Sequence, residues 1–352
     1  MTKKVDVKLI LMMLSALIAI NFMYSATNVM AIENLDLEDI WIRDPNLFYY
    51  DGKYYLTGTT HNDGFLGYSS TDMVDWEYHG LIYQRNSSNY WANYLFWAPE
   101  VVVKDDTFYM FFTAKNDTTH RATGVAVSND PMGPYIDLMP DPLTPSDYDC
   151  LDGHLYDEGN GSQYLVYVNE WIQDGVEGTG AMWIQETSSD YTHLVGEPVE
   201  LFEGGDADWS NRVVDGPSMI KHEGTYYLFW SSFGPSGYNV GYAYSENLHA
   251  GYQQSSKPVI NDDSGHSTWF YNQSSGHRLV VFHHPNSGEA EHAVIRRLIW
   301  DEGRGTWKID PPMEEDGIPG ASVYLLLLLA ASSVSIISRR LRISTDSSHV
   351  VP

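Results

Sequence analysis

The chain has 352 residues, a formal net charge of −27 and a single cysteine, Cys150; Tyr, Trp and Phe make up 14% of it and charged residues only 19%. That balance excludes a disordered chain and an internal disulfide, and the negative field would repel a phosphate backbone, so nucleic acid is not an expected partner. No G-x-G-x-x-G after a strand, no P-loop and no H-E-x-x-H is present, which removes the usual support for nucleotide, dinucleotide or zincin chemistry.

Residues 1–31 carry Lys3, Lys4 and Lys8, an apolar run over residues 9–20, and small residues at Val29 and Ala31, the layout of a signal peptide. Residues 35–311 read as one domain, because the aromatic-rich middle offers no linker at which to divide it. Its first segment, WIRDPNLFYYDGKYYLTGTT from Trp41, is expected to be a β-hairpin turning at Asp51-Gly52. Four similar segments follow: WAPEVVVKDDTFYMFFTA from Trp97, LDGHLYDEGNGSQYLVYV from Leu151, VDGPSMIKHEGTYYLFWSS from Val214 and GHSTWFYNQSSGHRLVVFHH from Gly265. A hairpin recurring about every 50 to 60 residues, with further strand-like pieces between, predicts an all-β, five-bladed propeller.

In a propeller the innermost strand of each blade runs along the central axis. Equivalent strand ends therefore gather at one pit, here Asp44, Ala98 to Glu100, Asp152, Asp215 and His266. Three carboxyl groups from three blades are costly to ionise side by side, which points to chemistry rather than to three separate turn caps. After a linker at 312–317, the apolar stretch 318–338 is just long enough to cross a bilayer, and the tail 339–352 carries Arg339, Arg340 and Arg342. The expectation is an exported body held at the cell surface by a C-terminal membrane helix. Four Asn-x-Ser/Thr tripeptides, at Asn86, Asn116, Asn160 and Asn272, are compatible with an outward-facing body.

The motifs RDPN at Arg43, WAPEV at Trp97, Asp152 opening the third hairpin, Asp215-Gly216-Pro217 and Gly265-His266, in this order and at blade spacing, resemble glycoside hydrolase family 43, the five-bladed arabinosidase and xylosidase group. The resemblance covers about residues 35–311. It implies inverting hydrolysis of arabinofuranosyl or xylosyl linkages in poly- or oligosaccharides, with Asp44 as the general base and Asp152 raising the pKa of a separate general acid. His266 matches an axial histidine that helps to hold a calcium ion and faces the substrate; no redox cofactor is implied. One position departs from the family: most members have Glu before the Gly-Pro of the fourth blade, and this chain has Asp215. Glu170, in VNEW, is the alternative acid, and Glu100 a third candidate, although the Glu of WAPE more often holds substrate or fold. Trp97, Trp171 and Trp269 are candidate stacking walls for a sugar, with a core role equally open to each. The rival readings are a related hydrolase of fructosides or galactosides and a non-catalytic sugar-binding propeller.

Overall fold

The computed structural model describes residues 34–310 apart from 87–90, 236 and 273–274. The expected leader and the expected membrane helix with its basic tail lie outside the described residues; among the described residues no helix is long and apolar enough to cross a membrane.

Five antiparallel sheets form the five blades. Their inner strands are Arg43–Tyr50, Tyr94–Lys104, Cys150–Asp157, Asp215–His222 and Gly265–Asn272, and each pairs outward with the next strand in the chain. Blades 2 to 5 have four strands, and blade 1 gains a fifth from Asn34–Leu35. The inner hairpins turn where the sequence offers residues tolerant of left-handed backbone. Asp51-Gly52, Asp105-Asp106 and Glu223-Gly224 all have positive φ, the requirement of a two-residue turn matched to strand twist. Five apolar clusters fill the five interfaces between neighbouring blades. Cys150 is buried in the cluster between blades 2 and 3, as expected of a lone small hydrophobe. The ring closes without a shared strand: Trp41 bridges His292, and the Ile42 N–H donates to the Glu291 carbonyl at 3.1 Å. Of the Asn-x-Ser/Thr sites, Asn272 is buried and donates to the Tyr54 hydroxyl at 2.7 Å, so the folded chain does not present it for glycosylation.

Every inner strand carries a bulge at the same place. Pairing skips from Arg43 to Asn46, Trp97 to Glu100, Leu151 to His154, Asp215 to Ser218 and Gly265 to Thr268. The first bulged residue is left-handed in all five blades: Asp44 (φ 48°), Ala98 (45°), Asp152 (57°), Gly216 (55°) and His266 (48°). Four of these are not glycine, and such backbone costs about 1–3 kcal/mol each unless its surroundings hold it. The holding is done across the blade interfaces. The Ala98 N–H donates to Thr59 Oγ1 (2.8 Å), the Asp152 N–H to Thr113 Oγ1 (2.9 Å), the His266 N–H to Ser231 Oγ (2.8 Å) and the Asp44 N–H to His283 Nδ1 (3.3 Å). Each acceptor stands in the preceding blade, opposite the residue that opens its bulge. The equivalent residue of blade 3 is Val168, which cannot accept, and there the Gly216 N–H donates to the Asp152 carboxylate instead, at 3.0 Å.

This register corrects one expectation. Asp215 is not the counterpart of Asp44 and Asp152; Gly216 is, and Asp215 stands one residue earlier, level with Arg43 and Trp97. Removing one acceptor should be measurable: Thr113→Val keeps the shape, leaves the buried Asp152 N–H unpaired, and should lower the unfolding free energy in urea by about 1–3 kcal/mol. Unchanged stability would mean that this amide has another partner.

Candidate active site

The bulges aim their side chains into one mouth of the axial channel, a cavity of about 470 Å³. Asp44, Asp152, Asp215, His266, Glu170, Trp97 and Trp171 all line it, so most of the expected site assembles from all five blades. The Asp44 and Asp152 carboxylates lie 3.4 and 3.6 Å from the same nitrogen, His266 Nδ1, which puts those two oxygens no more than about 7 Å apart. Asp215 joins them through its neighbour Gly216, whose amide is the one bound by Asp152. Gly216 is required there: besides its positive φ, a Cβ would meet His266 Cα and Cγ at 2.9 Å.

The three carboxyl groups differ in their surroundings. Burial opposes ionisation of Asp44, but His266, the Arg43 guanidinium (3.7 Å) and the Thr59 hydroxyl, which donates to Oδ2 at 2.8 Å, outweigh it and hold the carboxyl below the usual range. Thr59 therefore serves twice, donating to the side chain of Asp44 and accepting the amide of Ala98. His283 accepts the Asp44 N–H on Nδ1, so its other ring nitrogen carries the proton and donates to Asn286 Oδ1 at 3.2 Å. Burial pushes this histidine down to about 4, and it stays neutral beside the carboxylate.

Asp152 and Asp215 shift the other way. Burial raises both; the Asp44 charge adds to the shift of Asp152, and the Asp152 charge to that of Asp215. The Tyr238 hydroxyl donates to Asp215 Oδ2 at 2.8 Å. Glu170 is buried with one oxygen against the Arg121 guanidinium. Burial raises it to about 7 despite Arg121, with the Asp149 charge adding to the rise. Arg121 in turn stacks over the Trp97 ring at 5.5 Å, so Trp97, Arg121 and Glu170 form one side of the cavity.

Two expected site residues lie elsewhere. Glu100 and Trp269 line a second cavity further along the axis, because each stands beyond the bulge, and strand residues two apart are separated by more than 6 Å. Glu100 accepts from His154 Nδ1 at 2.8 Å, and Trp269 donates its indole N–H to the Met219 carbonyl at 2.9 Å. Both are tied into the fold and away from Asp44. The residues that sequence reading missed are Tyr238, Arg121 and Phe233, which lie on outer strands or connections without a motif, and Arg43, which was legible only as part of RDPN. Arg43 binds Glu291 at 2.6 Å while facing Asp44.

Calcium prefers several oxygen ligands, and among the described residues no three His, Cys, Asp or Glu side chains converge as a metal centre. The side chains around His266 do not by themselves fit the ion that the resemblance implies.

Known proteins share this fold. An endo-arabinase structure from Bacteroides thetaiotaomicron superposes with a TM-score of 0.70 at 28% identity, covering 76% of this chain and 98% of that one. A thermostable family-43 glycoside hydrolase gives 0.69 at 28%, over 77% and 93%. Among characterised relatives, a β-D-galactofuranosidase of Aspergillus niger is 23% identical over 80% of this chain and 86% of its own length. A xylosidase/arabinosidase of Bacteroides ovatus is 26% identical over 54% and 70%. The family model for glycosyl hydrolases family 43 matches residues 40–306, the whole ring of blades from the closing segment before Asp44 to the last strand. The chain is a glycosidase and belongs to glycosyl hydrolases family 43.

Proposed function

We propose that this protein hydrolyses arabinofuranosyl or xylosyl linkages with inversion, using Asp44 as general base and Asp215 as general acid. One observation supports the reading: a single cavity joins Asp44, beside the Arg43 guanidinium and the Thr59 hydroxyl that favour its ionised form, to Asp215, whose burial beside Asp152 favours the protonated form, the division of labour that glycoside hydrolysis needs. Asp44 takes a proton from water as the water oxygen bonds to the anomeric carbon. The bond from that carbon to the leaving oxygen breaks, and Asp215 gives its proton to that oxygen. Asp152, bound to the amide beside Asp215, fixes its backbone, and ionisation of Asp152 opposes that of Asp215, so the buried pair retains a proton. Glu170 is the lesser candidate for the acid, since the guanidinium at its oxygen favours the ionised form.

Trp97, Trp171 and the 38% exposed Phe233 offer flat apolar faces to a sugar, and the strongly acidic chain suits a neutral one. The pentose reading draws on the names of the Bacteroides relatives. The Aspergillus relative, matched over most of its length, favours galactofuranosides as the second reading. Residues 1–31 and 318–352 support action outside the cell, on a membrane tether.

Nitrophenyl α-L-arabinofuranoside, β-D-xyloside and β-D-galactofuranoside, assayed side by side, separate the two readings; turnover of none of them, or of the matching oligosaccharides, would leave a binding propeller. Asp44→Asn should abolish turnover on every substrate. Asp215→Asn should lose on the order of 10² or more on an alkyl glycoside or oligosaccharide and far less where the leaving group needs no proton. Should Glu170→Gln show that split instead, the acid is Glu170. The pH dependence follows from the directions of the shifts. Asp44, held below the usual range, stays ionised well into acid, whereas Asp215, held above it, keeps its proton into neutral solution. Activity should therefore be flat through weakly acid to neutral pH and fall on the alkaline side as Asp215 ionises. A profile that falls with acidification between pH about 6 and 5 would contradict this assignment of the base.

A further inference from the structure

Tyr238 has no part in the proposed reaction, yet it is buried at the cavity and held on several sides. It opens the strand Gly237–Ser245 and is 2% exposed. Its N–H donates to Asp263 Oδ1 at 3.1 Å and its carbonyl accepts from the Ser264 N–H at 3.0 Å. The ring lies parallel to that of His283, at 5.7 Å and 16°. The Phe233 ring lies 4.7 Å away, tilted by 45°, and at Gly265 a Cβ would come within 1.8 Å of the Tyr238 ring, so blade 5 opens its bulge with a glycine to make room. Backbone, ring face and ring edge are all fixed, and the hydroxyl ends 2.8 Å from Asp215 Oδ2.

We infer that Tyr238 is a positioning residue for Asp215, fixing its carboxyl and reserving Oδ1 for the proton that is transferred. This rests on the assignment of Asp215 as the acid. A carboxyl oxygen that accepts a hydrogen bond from a fixed phenol is the poorer site for its own proton, so the proton resides on the other oxygen. Aspartate also needs such a guide more than a residue fixed by its own bulge would. Asp215 precedes the left-handed residue, and its amide is not the one bound by Asp152. The same contact limits length at this position. A glutamate would carry its carboxyl one methylene further, and on this side the space is already occupied by the hydroxyl.

The test is a double-variant cycle on the full chain, with an alkyl glycoside or oligosaccharide and a dinitrophenyl glycoside of the sugar that the wild type turns over. Tyr238→Phe should lower kcat on the first by about ten- to a hundredfold, lower it much less on the second, and leave KM nearly unchanged. Asp215→Glu alone should also lose activity on the first substrate. Joined to Tyr238→Phe, it should recover at least about tenfold over either single variant, because the lost hydroxyl makes room for the added methylene. Equal losses on both substrates, or a double variant no better than the sum of its parts, overturn the inference. Crystal structures supply a readout that does not need turnover: the Asp215 carboxyl should hold one orientation in the wild type and turn away in Tyr238→Phe. An unmoved carboxyl overturns the inference even with an active enzyme. A wild type inactive on every glycoside overturns the proposed function and leaves the carboxyl's orientation to decide the role of Tyr238.

Discussion

The structure depends on one backbone N–H per blade. In each inner strand a left-handed residue turns its amide out of its own sheet, and a side chain of the preceding blade answers it: from that blade's second strand in four cases, and from Asp152 on its inner strand in the fifth. A buried amide without a partner costs about as much as a whole hydrogen bond gains, so the strained backbone and its acceptor are worth little apart and hold only together. The residues placed on that strained backbone include Asp44, Asp152 and His266. The ring of acceptors that joins the blades is thus also the frame that aims the reacting groups.

Blade 3 shows how the frame and the chemistry meet. Where its neighbours supply a hydroxyl or an imidazole, it has Val168, and the amide of Gly216 is left to a carboxylate. That donor favours ionised Asp152, while burial and the Asp44 charge oppose it. Asp152 is thus pulled towards ionisation by the amide of blade 4 and away from it by its burial and by Asp44. A threonine at 168 would have satisfied the amide and freed Asp152 from its tie to blade 4. The missing hydroxyl is what leaves Asp152 tied to the amide that follows Asp215.

Much of this was legible in the sequence. Hairpins recur with their turn residues in place, and polar residues at the start of inner strands mark the pit, because strand alternation and turn chemistry are local. Asp44, Asp152 and His266 were found in that way. The register of blade 4 was not, since a bulge shifts pairing by one residue and leaves no mark in a single strand; Asp215 looked level with Asp44, and the glycine beside it is the true counterpart. Glu100 and Trp269 were placed in the pit because they lie near WAPE and Gly-His, but a few residues along an axial strand carry a side chain to another cavity. Tyr238 and Arg121 belong to connections and outer strands, where nothing local distinguishes a residue that reaches the axis.

The way in which the ring closes has a consequence for the order of events in the life of the chain. Asp44 stands near the start of the folded body, but its amide is bound by His283, 239 residues later, and the neighbouring Arg43 is bound by Glu291, 248 residues later. During synthesis the first four blades emerge while the base still lacks His283 and the arginine beside it still lacks Glu291. Contacts of such sequence separation are the slowest to form in any fold. The carboxylate that activates water is brought to its working geometry only when the fifth blade docks. The mouth of the channel is therefore incomplete until the fifth blade, which also carries His266, has joined the ring.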